Sequence, residues 1–474
     1  MKRRAITTRG RIGLVLLGGG VLGLIALAWY YLLRDVPHRF ASEEDHFKYG
    51  SIGVESANGL PYWIWRALPR VFPEKLPGAG GYRSFGFLWE DGRDAPIGMP
   101  VRTIGFPRIG VNCGLCHVGS VRASDNAPRQ ILYGAPNTTL DLQRYLRFLF
   151  ACAADPRFDA ENILPAIRSM HHLSWIEGLL HRYMLIPQTK KALLKQAHDL
   201  AWMDVFPVWG PGRDDPFNPA KVQILERPFD GTIGAADIVP LWNWRPRKEF
   251  ALHWDGLNNS LDEIFLNSGV GNGASGRSLD HGSLMRIKQW VFDLPPPAYP
   301  FGIDRTLAER GRPIYEGLCA GCHAFGGEKT GTSIPIEMIG TDRNRLDSWT
   351  QETADAFNAL DGYPWRYAHF RKTSGYVAGA LDGIWARAPY LHNGSVPTLT
   401  DLLSPPGERP TTFYRGYDVY DRERLGFVSS GADAGRVGRL LDTRQPGNGN
   451  QGHLFGTALS PDEKRALLEF LKTL

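Results

Sequence analysis

The chain is short of cysteine. Five occur in 474 residues, and four of them fall in two pentapeptides, Cys113-Gly114-Leu115-Cys116-His117 and Cys319-Ala320-Gly321-Cys322-His323. With both pairs consumed there, only Cys152 is left, so no disulfide forms within the chain. Methionine is also scarce, and Met338 is the only one after His323. Strand signals are few. Acids are missing from the start: Lys2, Arg3, Arg4, Arg9, Arg11 and Arg34 all precede the first acid, Asp35. These six cations exceed the net charge of +5 by one, so the remainder carries −1. That balance excludes a nucleic-acid-binding body.

Each pentapeptide has the C-x-x-C-H spacing of a c-type haem attachment site. Two thiols so spaced add across the two vinyl groups of a haem, and the adjoining histidine reaches the iron as an axial ligand. Cys113, Cys116, Cys319 and Cys322 are therefore the expected attachment residues, with His117 and His323 as proximal ligands. Two copies imply two covalently held haems. A four-cysteine zinc site competes, but zinc needs no histidine after each second cysteine, and zinc ribbons bring their halves closer in sequence. A thioredoxin-like motif would need a βαβ context that neither copy has.

From Ile12 to Leu33 the chain is apolar without interruption, long enough for a membrane-spanning helix. The basic flank places the amino terminus in the cytoplasm and everything after Arg34 outside. A cleavable signal peptide competes through Ala26-Leu27-Ala28, although the apolar run continues past it. Either reading exports the body to the periplasm, and the first anchors it in the inner membrane.

Residues 1–34 are thus read as basic tail and anchor, 35–294 as an N-terminal haem domain, and 301–474 as a C-terminal cytochrome c domain. The boundary is Pro295-Pro296-Pro297 with Pro300. Residues 35–112 read as irregular, tightly packed chain. Helical periodicity runs through Asp141–Cys152, Lys190–Trp202, Ser283–Leu294 and Thr306–Leu318. Ser460-Pro461-Asp462-Glu463 opens a last helix to Lys472. The predicted fold is mainly α, two cytochrome c-like domains with long irregular connections. A weak repeat matches Leu252-His253-Trp254-Asp255-Gly256 with Leu391-His392-Asn393-Gly394, setting His253 against His392 and leaving Trp254 as an extra residue.

Several stretches resemble the bacterial di-haem cytochrome c peroxidase superfamily, in particular its rubber oxygenase-like branch. They are Ala388-Pro389-Tyr390-Leu391-His392-Asn393-Gly394-Ser395, Gly134-Ala135-Pro136-Asn137, Leu241-Trp242-Asn243, and Asp442-Thr443-Arg444 through Gly452-His453. The resemblance implies an N-terminal haem open to peroxide or dioxygen and a C-terminal haem that relays electrons. Such peroxidases close the second haem with a downstream methionine, but Met338 lies too near the motif to cross to the far face. His369, His392 and His453 are the alternatives, and the branch's Gly-His motif favours His453, in a flexible glycine-asparagine setting. The resemblance further implies an aromatic relay between the haems, matched to Trp254, and an aromatic over the open face, for which Phe265 is the nearest candidate. His392 is read as a propionate or interface group.

The function so implied is an exported di-haem oxidoreductase using peroxide or dioxygen and an electron-donor redox protein. A dioxygenase acting on an apolar alkene and a non-catalytic two-haem electron carrier are the alternatives.

Overall fold

The apolar run forms a helix, Thr8–Ala28, widening into a π turn at Trp29–Leu33. A computed structural model describes residues 8–474, with side chains from Leu16 onward. Lys2, Arg3 and Arg4 of the basic tail lie outside the described residues. Leu16–Leu33 is long and apolar enough to cross a bilayer, and none of it is buried in the body. No linker follows it. Asp35–Val36 pairs at once with Val101–Ile104 as the edge of an antiparallel four-stranded sheet completed by Phe106–Ile109 and Leu60–Pro61. Gly105, at φ +71°, sits where a Cβ would strike the backbone of Leu32. The helix end and the sheet are therefore in direct contact.

That sheet corrects the irregular reading of residues 35–112, which also hold the helices Glu43–Tyr49 and Tyr62–Val71. The fold is mixed rather than mainly α, with 44% helix and 10% strand. Strands of two to four residues are too short for alternation to show in sequence. The longer helices fall near their expected places: Leu142–Ala154, Ile186–Asp199, His281–Asp293, Arg305–Leu318 and Pro461–Leu471. Local chemistry explains their starts. Asp141, Asp280 and Asp304 each accept an N–H from the first turn, and Ser460 with Glu463 forms a reciprocal capping box. Cys152 is fully buried in the aromatic core of residues 62–193, and burial pushes its thiol up, as expected of a small apolar residue.

Asp418, almost wholly buried, joins the hairpin after the first motif to the C-terminal region. It accepts from Ser120 Oγ at 2.7 Å, Arg122 Nε at 2.7 Å and Arg129 Nε at 2.6 Å. Burial pushes its carboxyl up, but Arg129, Ser120 and Arg122 outweigh this and hold it below the usual value. A depressed carboxyl contributes stability above its unfolded pKa and loses it as pH falls through the folded one. Asp418→Ala should destabilise by about 2 kcal/mol at neutral pH, because Ser120 and the part-buried Arg122 lose a buried acceptor, although Arg122 keeps Asp125 and Arg129 is exposed. Denaturant titration in detergent should show the gap to wild type closing as the pH drops below about 4.

Candidate haem sites

Both C-x-x-C-H motifs fold as single helical turns, Gly114–His117 and Ala320–His323. In each, the histidine ring is oriented by a backbone carbonyl. His117 Nδ1 donates to Val239 O at 2.9 Å, and His323 Nδ1 donates to Gly379 O at 2.7 Å. A carbonyl on Nδ1 fixes the tautomer that presents Nε2 as a lone-pair donor, the usual outer support of a metal-binding histidine. Burial pushes His117 down to about 4, against the pull of the Val239 bond, and lowers His323 in the same way. Both rings are neutral at physiological pH, as a ligand must be.

The carbonyls come from equivalent places. Val239 stands two residues beyond the strand Ala236–Asp237, which pairs with Arg213–Asp214. Gly379 stands two beyond Gly375–Val377, which pairs with Ser333–Pro335. Downstream, each unit closes a turn by one antiparallel bridge, Leu252 with Asn258 and Tyr390 with Val396. Within these turns His253 (φ 64°) matches Leu391 (φ 69°), and Gly256 (φ 69°) matches Gly394 (φ 58°). Ser260 and Thr398 then cap the next helices. All five pairs share one offset in numbering, which corrects the register of the repeat. Trp254 is not an insertion; it occupies the place of His392, and His253 that of Leu391.

The two units grip each other reciprocally. Asp237 N–H donates to His392 O at 2.8 Å, and Val377 N–H donates to Trp254 O at 2.7 Å. Trp254 is thereby fixed between the motifs. Its Nε1 donates to Asp237 O at 2.7 Å, two residues from the carbonyl that orients His117. Its ring packs on the Ile336, Leu346 and Tyr376 cluster together with Ile339.

Ile339 leads to the second histidine. His453 N–H donates to Ile339 O at 2.8 Å, and the His453 and His323 rings lie 6.2 Å apart between centroids. Two imidazoles on opposite faces of one iron, each with its nitrogen at about 2 Å, have centroids roughly 6 Å apart. The spacing fits a haem iron between His323 and His453. Burial, then the repulsion that a second proton would meet beside His323, pushes His453 down to about 4, leaving it neutral as well. The loop bearing it is clamped, not flexible. Asn393 Nδ2 donates to Gly447 O at 3.1 Å and Gly449 O at 2.9 Å, Ser395 Oγ to Gly449 O at 2.9 Å, and Arg409 to Gly452 O at 2.9 Å. Gly452, at φ +79°, packs where a Cβ would collide with Gly340.

The other candidates go elsewhere. His369 Nδ1 pairs with Glu263 at 2.6 Å, with half its side chain exposed. His392 stacks on Tyr376 at 3.9 Å, its Nε2 buried and without a hydrogen-bond partner. Phe265 is buried in the apolar cluster that also holds Cys113. Among the described residues no ring is paired with His117 as His453 is with His323. Sequence reasoning missed Val239, Gly379 and Asp237, which act through the backbone and leave no side-chain signal. It also missed Arg409, and Arg345, whose charge helps to depress both His253 and His392 after burial.

Residues 375–414 match the RoxA-like, cytochrome c-like family. The match covers Gly379, the His392-Asn393-Gly394-Ser395 turn and Arg409, the frame that orients His323 and clamps the His453 loop. A cytochrome c-like domain is present there, and such a domain implies a c-type haem with its iron. Two proteins of Sinorhizobium fredii share longer stretches. Uncharacterized protein y4iJ is 35% identical over 38% of this chain and 41% of its own length. Uncharacterized protein y4iM is 32% identical over 46% and 56% respectively. The chain thus spans about half the length of the relatives it matches.

Proposed function

We propose that the chain is an exported, membrane-tethered di-haem c-type oxidoreductase of the di-haem cytochrome c peroxidase superfamily, built from two cytochrome c-like domains at 35–294 and 301–474. The observation that carries this reading is the inequality of the two proximal histidines: His323 faces a second imidazole at 6.2 Å, and His117 does not. Cys113, Cys116 and His117 would hold one haem, and Cys319, Cys322, His323 and His453 the other. A c-type haem supplies an iron that binds small oxidants through an open axial position and passes single electrons when both positions are filled.

The chain's own residues then divide the labour. Val239 and Gly379 keep the Nδ1 protons of the proximal histidines in place, so each Nε2 stays free to bind iron. Asn393, Ser395 and Arg409 hold His453 at ligand distance, which favours a relay role for the C-terminal site. Trp254 bridges the two frames and is the residue suited to carry an electron between them. Phe265 and the apolar cluster around Cys113 keep water from the N-terminal site, an environment that suits peroxide or dioxygen as oxidant and would admit an apolar alkene substrate. Electrons would come from a donor redox protein.

Two tests bear on this. The purified full chain should contain two covalent haems by pyridine haemochrome assay, one of them high-spin in the ferric state and altered by peroxide; two low-spin haems indifferent to peroxide would leave only an electron carrier. Trp254→Phe should retain both haems while slowing electron equilibration between them after half-reduction by at least about tenfold, a barrier increase near 1.4 kcal/mol. Unchanged kinetics in stopped-flow absorbance would remove Trp254 from the path.

A further inference from the structure

The helical segment Trp175–Asp199 is apolar on two sides. One side, with Leu185, Ile186 and Leu193, is buried in the core that also includes Phe106 and Ile109 of the sheet joined to the N-terminal helix. On the other side Trp175, Leu179 and Tyr183 follow one another at four-residue spacing and are 76%, 46% and 74% exposed. Leu194 continues this outer face at 40% exposure. A folded helix seldom shows solvent two large aromatics and two leucines in succession; exposed apolar patches of this kind mark contact surfaces.

The charge around the ridge leans positive. From Glu161 to Asp199 stand five cations, Arg168, Arg182, Lys190, Lys191 and Lys195, and three acids, Glu161, Glu177 and Asp199. Arg182 pairs with Glu161 and Lys195 with Asp199, while Arg168 and Lys191 are in no ion pair among the described residues. Glu177 is engaged in the capping box with Ser174. Trp, Tyr and Leu on a helix flanked by Lys and Arg is the composition that settles at the boundary between headgroups and acyl chains. The tether keeps the body close to the bilayer. Val36, three residues beyond Leu33, is already paired in the sheet that shares a core with this helix. The body is therefore confined next to the bilayer that its own N-terminal helix would enter.

We infer that the Trp175–Leu194 face docks on the lipid surface of that same membrane, its aromatic ridge in the interface and its cations on anionic headgroups. The inference deepens the membrane-tethered reading and rests on it. Docking would hold the body in one orientation at the bilayer.

The test uses the full holoprotein reconstituted in phosphatidylcholine–phosphatidylglycerol vesicles, with a nitroxide at Tyr183→Cys and, separately, at Val437→Cys, a 48% exposed control. Haem absorbance and retention of both haems check that each variant is folded. The label at 183 should be several-fold more accessible to dissolved oxygen than to a water-soluble nickel chelate, with the reverse at 437. Preferential collision with the nickel chelate at 183 overturns the docking and leaves the tether standing. Spin–spin broadening at 183 that dilution with unlabelled protein relieves would assign the face to a second copy instead, and also overturns it. Recovery of a chain lacking its N-terminal helix, read from intact mass, refutes the tether, and the docking falls with it.

Discussion

Cys113→Ala/Cys116→Ala is expected to leave a protein with one haem, a purely low-spin spectrum and no reaction with peroxide or dioxygen. Intact mass should fall by one haem per chain, and turnover by at least roughly 10³-fold, because the substitution removes the reacting centre rather than adjusting it. The remaining haem should keep its spectrum, since His323 and His453 are held by their own supports, Gly379 and the clamped 447–452 loop. The reciprocal substitution, Cys319→Ala/Cys322→Ala, should retain a high-spin centre that still binds peroxide but is starved of relayed electrons. If instead the first variant kept its oxidant reactivity and the second lost it, the roles of the two sites would be exchanged.

The second large effect is expected at His453. His453→Ala should convert the low-spin haem to high-spin while both haems stay attached, so the low-spin share falls from about half of the total to near zero. The expectation rests on the 6.2 Å spacing of the His323 and His453 rings, since no other imidazole faces His323 among the described residues. The cavity left by the imidazole should accept free imidazole, and titrating it in should restore the low-spin spectrum. His392→Ala is the contrast. It removes a ring stacked on Tyr376 at 3.9 Å and should cost stability without changing spin state. A low-spin spectrum that survives His453→Ala but is lost in His392→Ala or His369→Ala would reassign the ligand.

Much of the site can be read in the sequence because covalent chemistry leaves side-chain signatures. The two C-x-x-C-H motifs and the Gly452-His453 dipeptide stand out as strings, and the structure brings His323 and His453 together. What organises them is backbone. The hairpins that deliver the Val239 and Gly379 carbonyls have strands of two or three residues, below the length at which alternation becomes visible. The repeat shows the limit most clearly. Matching the Leu-His pairs at 252–253 and 391–392 shifts the alignment by one residue, whereas the conserved features are a bridge, two positive φ angles and a helix cap. Dihedral angles are shared by His253 and Leu391, which have no chemistry in common. Residues 35–112 are opaque for a related reason: their glycines and prolines punctuate a sheet of short strands in which Asp35–Val36 and Leu60–Pro61 pair with a hairpin 40 or more residues further on.

The inequality of the two sites is most directly tested by titrating the fully reduced holoprotein with carbon monoxide, following the Soret band. The geometry predicts one carbon monoxide bound per two haems, with the other haem unperturbed. Binding of two, or of none, would contradict it.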